Sequence, residues 1–161
     1  MTTDSRTSVL FVCMGNICRS PLAEGVFIQM ANDAGVLDRF HIDSCGTGGW
    51  HAGNPADPRS IEVAERHGIH LPSRARQVIP ADDFTFDWII VMDVDNRDAL
   101  ADLGAPMDRV HLLRAFDPEL ADTDDHERQV PDPYYGGADG FDVVYHMVVR
   151  GCEGLMRVVS S

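Results

Sequence analysis

Near the start of the chain stands Cys13-Met14-Gly15-Asn16-Ile17-Cys18-Arg19-Ser20, a Cys-x5-Arg-Ser stretch. A thiolate is a strong nucleophile, and an arginine offers a planar fork of donors that matches two oxygens of a phosphate. Residues 13–20 turned tightly ahead of a helix would aim successive backbone N–H groups inward, as a nest for an anion. The helix N-terminus would add partial positive charge. Gly15 permits unusual backbone angles, and Asn16 tolerates the left-handed region better than most residues. Ser20 is placed to donate a hydrogen bond to the sulfur when it departs. Cys18, in the same loop, is placed to form a disulfide with Cys13. The chemistry these residues imply is attack of Cys13 on a phosphate monoester held by Arg19 and the backbone of Met14, Gly15, Asn16, Ile17 and Cys18. A cysteine at a strand end often serves merely as a small hydrophobe; that alternative leaves the arginine and serine at their spacing unexplained.

Such a loop needs a strand before it and a helix after it. Val9-Leu10-Phe11-Val12 is a short apolar run that reads as a buried strand ending in Cys13. Ser20-Pro21 predicts a helix over 22–32, with serine as N-cap and proline at the first helical position. Asp57-Pro58 repeats that start signal for a helix to about Arg66, closed near Gly68. Further strands are predicted at 40–43, 87–92 and 110–113, and further helices at about 96–103 and 141–159. The last carries Phe141, Val144, Val148 and Leu155 on one apolar face, with Gly151 and Gly154 interrupting it. Alternating strands and helices imply a parallel sheet covered on both faces, with ligands at the carboxyl ends of the strands, where Cys13 lies.

The 161 residues make one domain, 1–161, without repeats or linkers. No apolar run approaches the roughly 20 residues of a membrane helix. The N-terminus lacks a basic segment followed by an apolar one, so the expectation is a cytoplasmic protein, with signal-less secretion as the other route. In that setting the four cysteines, Cys13, Cys18, Cys45 and Cys152, read as free thiols. A net charge of −13 argues against nucleic acid and against anionic membranes as partners, and reads as a solubilising surface.

Residues 9–24, VLFVCMGNICRSPLAE, resemble the low-molecular-weight protein tyrosine phosphatases, and the resemblance extends over nearly the whole chain. It implies a single flavodoxin-like α/β domain with the phosphate-binding loop after the first strand, no metal and no cofactor, and a reaction through a phosphocysteine. It also implies roles for residues that spacing alone leaves open. Val130-Pro131-Asp132-Pro133-Tyr134-Tyr135-Gly136 resembles the family's general-acid loop, where Asp132 protonates the leaving oxygen and then activates water. By composition alone this stretch is an ordinary turn. Tyr134, Tyr135 and Trp50 would wall the pocket, and Ser44 would hydrogen-bond Asn16. His51 and Met14 fall at rim positions that vary in the family. Asp57 and Asp93 match family acidic positions. Ser73 stands where family members often carry histidine, which puts one supporting hydrogen bond in question.

The resemblance makes phosphotyrosine proteins the expected partners, a tyrosine kinase of bacterial type among them, with inorganic phosphate as product and inhibitor and a monomer as the working unit. An arsenate reductase on the same fold would need a close pair of resolving cysteines, and only Cys152 lies beyond Cys45. A silent phosphotyrosine-binding module would need some defect beside an intact Cys13, Arg19 and Asp132. A zinc site from Cys13, Cys18 and Cys45 lacks close CxxC pairs, and His67 and His70 read as surface histidines.

Overall fold

The computed structural model describes residues 6–134 and 138–160. Four strands, β1 (Thr7–Cys13), β2 (Phe40–Gly46), β3 (Trp88–Val91) and β4 (Val110–Leu112), form one all-parallel sheet in the order β2-β1-β3-β4. The α-helices among the described residues are α1 (Arg19–Asp33), α2 (Pro58–Arg66), the short α3 (Pro80–Asp83), α4 (Val94–Asp102) and α5 (Ala138–Val159). From β1 the chain steps to β2 on one side and then crosses to β3 on the other. The carboxyl end of β1 is therefore the switch point where such sheets hold their ligands.

Strand side chains alternate between the two faces. Val9 and Phe11 of β1 face a core shared with α1 and α5, including Phe27, Phe141, Val148 and Leu155. Leu10 and Val12 face the other core with Ile89, Val91 and Leu100 of α4. Phe27 fixes α1 against the sheet, its ring 5.7 Å from Phe11 and 5.4 Å from Phe40. The glycines of α5 are what let it dock. A Cβ on Gly154 would lie 1.8 Å from the carbonyl oxygen of Phe116, and one on Gly151 2.6 Å from Leu113.

The sequence-based boundaries shift at three places that bear on the site. α1 begins at Arg19, not at residue 22, and its N-cap position is Cys18 rather than Ser20. Ser20 lies inside the helix because its hydroxyl turns to Cys13 instead of capping. No side chain caps α1, so its first N–H groups remain for an anion. β2 runs on through Ser44 and Cys45, which carries Ser44 up to the loop. α4 starts at Val94, capped by Asp93 in a capping box with Asn96.

Candidate active site

Cys13 ends β1 with its side chain almost wholly buried. The loop after it is shaped from outside. Its carbonyls are tied back by four donors: Thr47 N–H to Cys13 (2.9 Å), Gly48 N–H to Met14 (2.9 Å), Asp57 N–H to Ile17 (2.7 Å) and Ser60 Oγ to Cys18 (3.2 Å). With those carbonyls turned outward, N–H groups turn in, and the Asn16 N–H reaches Cys13 Sγ at 3.3 Å. Gly46 belongs to the same design, since a Cβ there would lie 2.7 Å from the carbonyl oxygen of Met14.

Asn16 is the one non-glycine with positive φ (57°) among the described residues. Its amide is fully used. Oδ1 accepts from the Arg76 N–H (3.0 Å), while Nδ2 donates to Ser20 Oγ (2.8 Å) and Ser44 Oγ (3.0 Å). Ser20 Oγ in turn lies 3.0 Å from Cys13 Sγ, positioned to stabilise negative charge on a departing sulfur.

Arg19 is 2 % exposed. Its Nη1 donates to Asp93 Oδ2 (2.5 Å) and to the Val130 carbonyl (3.0 Å), and Nη2 lies 3.7 Å from Asp132 Oδ2. Burial works against its charge, but Cys13, Asp93 and Asp132 more than offset that, and the guanidinium is held ionised above its ordinary range. Its buried Nε has no hydrogen-bond partner among the described residues, which leaves a donor for an oxyanion. Asp93 thus has two tasks. Oδ1 caps α4 by accepting from the Asn96 N–H at 2.8 Å, and Oδ2 aims Arg19.

The pocket above Cys13 is lined by Met14, Gly15, Ile17, Cys18, Arg19, His51, Asp132 and Tyr134. Asp132 stands at its exposed mouth, its Oδ1 accepting from the Tyr134 N–H at 3.0 Å. Tyr134 lines the pocket. Tyr135 lies outside the described residues. Trp50 is not a wall of this pocket. It is 72 % exposed and lines an adjoining hollow with Met14, Arg19, Asp93 and Asp132. His51 lines the pocket instead, its ring 6.2 Å from that of Tyr134. The side chains of Asn16, Ser20 and Ser44 hydrogen-bond to one another and are not among those that line the pocket.

Other contributors were not assigned from the sequence. Arg59 makes a paired hydrogen bond to Asp57 (3.0 and 3.0 Å) while its guanidinium lies 5.4 Å from the Tyr134 ring and 4.5 Å from Phe141. It thereby joins the start of α2 to the Asp132 segment. Arg76, whose backbone fixes Asn16, anchors its side chain on Asp83 and Asp43. Ser73, where the resemblance led to an expectation of histidine, also makes a hydrogen bond behind the loop. It donates to Glu24 at 2.7 Å, beside Ser44 at 2.6 Å. A serine, a buried glutamate and an arginine scattered through the chain carry no spacing signal.

The cysteines divide by environment. Cys18 lines the pocket with Cys13, and burial, helped by Asp57 and Cys13, pushes its thiol up to about 12. Burial also pushes the Cys45 and Cys152 thiols up, and both are fully buried away from the pocket. Peroxide is therefore expected to convert Cys13 to a sulfenic acid with loss of one oxygen of the oxidant as hydroxide. Cys18 then displaces water from it to form a Cys13–Cys18 disulfide that thiols reverse. Because Cys18 must shed its proton to attack, closure should speed up as pH rises. Phosphate should protect, and Cys18→Ser should progress to irreversible acids. Peptide mass mapping checks this, and a reversible Cys13 link to Cys45 or Cys152 would refute it.

The sequence model of the family described as low molecular weight phosphotyrosine protein phosphatase matches residues 8–161. A low molecular weight protein-tyrosine-phosphatase of Streptomyces coelicolor is 45% identical over 157 residues, covering 95% of this chain and 93% of its own. The human low molecular weight phosphotyrosine protein phosphatase is 40% identical and covers 98% of both chains. Among solved structures, a protein tyrosine phosphatase of Entamoeba histolytica with Hepes in its active site superimposes with a TM-score of 0.86. It is 35% identical and covers 96% of this chain and 97% of its own.

Proposed function

Since the chain belongs to the family of low molecular weight phosphotyrosine protein phosphatases, we propose that it hydrolyses phosphotyrosine in proteins, and small aryl phosphates, through a phosphocysteine. The observation that carries this reading is the convergence of Cys13, Arg19 and Asp132 on one pocket. In the first step the Cys13 thiolate attacks phosphorus, a P–S bond forms, the P–O ester bond breaks, and Asp132 gives its proton to the leaving oxygen. In the second, Asp132 takes a proton from water, whose oxygen attacks phosphorus. The sulfur leaves as a thiolate beside the Ser20 hydroxyl and the Asn16 N–H, and inorganic phosphate is released. Arg19 binds the equatorial oxygens throughout, and charge that develops in the transition state meets donors already in place. The chemistry calls for no metal or cofactor.

The resolving cysteine pair of an arsenate reductase finds no support, because Cys45 and Cys152 lie buried outside the pocket with their thiols pushed up. The partners we infer are phosphotyrosine proteins, a bacterial-type tyrosine kinase among them, met by a monomer in the cytoplasm. No described helix is long and apolar enough to cross a membrane.

The pocket is deep, with the nucleophile almost wholly buried and His51 and Tyr134 at the walls. An aryl ester spans that depth, and an alkyl ester as short as phosphoserine does not. Matched phosphopeptides should be hydrolysed far faster with phosphotyrosine than with phosphoserine, with kcat/KM differing by at least about 10²-fold, the scale on which a misplaced reacting centre is felt. Comparable values would refute the assignment to tyrosine.

A further inference from the structure

Beside the pocket that holds Cys13 lies a second hollow, and the two share Met14, Arg19 and Asp132 in their walls. One side of the hollow is Trp50, from the loop after β2, which no step of the reaction above uses. Its six-membered ring rests on Gly48, where a Cβ would lie 1.9 Å from it. Gly48 thus makes the room in which the ring is seated, and most of the residue stays open to solvent. Met14 and Tyr134 are exposed as well, so the mouth of the site carries an apolar rim. Exposed aromatic surface of this kind, gathered at the entrance to a pocket, is suited to contact with a partner.

The other side of the hollow comes from the start of α4 and is acidic. Asp93 has both oxygens committed, Oδ1 to the Asn96 N–H and Oδ2 to Arg19. Asp132 accepts from the Tyr134 N–H and turns its second oxygen toward Arg19. Asp95 differs from both. It is exposed in the first turn of α4, and its carboxylate makes no hydrogen bond or ion pair among the described residues. Arg19 is the cation in this lining, but it is buried and its charge is already met by Cys13, Asp93 and Asp132. An incoming group therefore finds an aromatic face on one side and an uncompensated carboxylate on the other. That pairing favours a planar cation, because a guanidinium can stack on an indole and give N–H groups to a carboxylate at its edge. An acidic side chain would meet like charge.

We propose that this hollow is a specificity subsite for an arginine side chain that flanks the phosphotyrosine of the substrate, with Trp50 stacking on its guanidinium and Asp95 pairing with it. The two cavities share a wall, so in an extended substrate the arginine stands roughly one or two positions from the phosphotyrosine. The subsite rests on phosphotyrosine peptides being what the pocket takes. Asp95 also complements the N-terminus of α4. That role alone would move the melting temperature and leave the choice of peptide unchanged.

The test uses the whole protein and phosphotyrosine peptides that carry arginine, glutamine or glutamate at one flanking position at a time. Ratios of kcat/KM for phosphate release are compared, so that any change common to all peptides cancels. At one flanking position or more, wild type should favour arginine over glutamine about tenfold, the combined scale of a cation–π contact and a screened ion pair, with glutamate lowest. The preference should shrink as salt is added. Asp95→Asn should lose most of the preference together with its salt dependence, and Asp95→Arg should place glutamate above arginine. Trp50→Ala should slow the arginine peptide more than the glutamate peptide. Calorimetry of the same peptides on Cys13→Ser should give the same order of affinity, which reads the subsite without the chemistry. Equal values for the three peptides at every position, or an undiminished preference in both Asp95 variants, would overturn the proposal. Peptides that bind in the predicted order but release no phosphate with wild type would sink the phosphatase reading and leave the subsite standing.

Discussion

Cys13→Ser is expected to abolish turnover of p-nitrophenyl phosphate, by on the order of 10⁴-fold or more, the scale seen when an enzyme loses its nucleophile. A serine hydroxyl in this position is far less ionised than a thiol, and the described groups hydrogen-bonded to the sulfur are donors rather than bases. The donors directed at the sulfur, the Asn16 N–H and Ser20 Oγ, stabilise a charge and do not remove a proton efficiently. The anion site itself survives the change, because Arg19 and the loop backbone do not depend on the sulfur. Calorimetry should still detect inorganic phosphate binding to Cys13→Ser. Arg19→Ala should lose both turnover and phosphate binding, since the guanidinium is the pocket's fixed cation and is aimed by Asp93 and the Val130 carbonyl. Wild-type-like turnover by Cys13→Ser would refute the assignment of the nucleophile.

Asp132→Asn should lower kcat by about 10²–10⁴-fold on esters with poor leaving groups, the usual range for general acid–base catalysis. The carboxyl stands at the pocket mouth, 3.7 Å from Arg19 and held by the Tyr134 N–H, where a leaving oxygen would emerge. The loss must depend on the leaving group. An aryl oxygen of low pKa departs without a proton, so strongly activated esters should suffer least in the first step. A series of aryl phosphates tests this through the slope of log kcat/KM against leaving-group pKa, which should steepen in the variant. An equal loss across the series would count against the acid role.

Much of this site was legible in the chain because its parts are contiguous. Residues 13–20 hold the nucleophile, the loop and the arginine in one run between a strand and a helix, and local spacing predicts how they meet. The parallel sheet was equally readable from Val9-Leu10-Phe11-Val12 and the later apolar runs. What was not legible depends on distant segments closing on the loop. The Arg76 backbone reaches Asn16 across sixty positions, Asp93 reaches Arg19 from the start of α4, and Ser73 meets Ser44 at the Glu24 carboxyl. None of these contacts has a period or a spacing. The start of α1 was misplaced for a related reason. Ser20-Pro21 has the composition of a cap, but the serine hydroxyl is claimed by Cys13 and Asn16, and the helix begins at Arg19 with its N-cap position at Cys18. Trp50 and His51 are neighbours in sequence, and only the packing of His51 against Gly15 and near Tyr134 decides which of them lines the pocket.

The most direct measurement of the central claim is to catch the phosphoryl group on the protein. In Asp132→Asn, an activated aryl phosphate should still transfer its phosphoryl group, while hydrolysis is slowed because the base that activates water is gone. Rapid quenching followed by peptide mapping should therefore find phosphate on the sulfur of Cys13. A chase with unlabelled substrate should release it as inorganic phosphate at the catalytic rate. Phosphate on any other residue, or steady turnover with no covalent species on Cys13, would contradict the account.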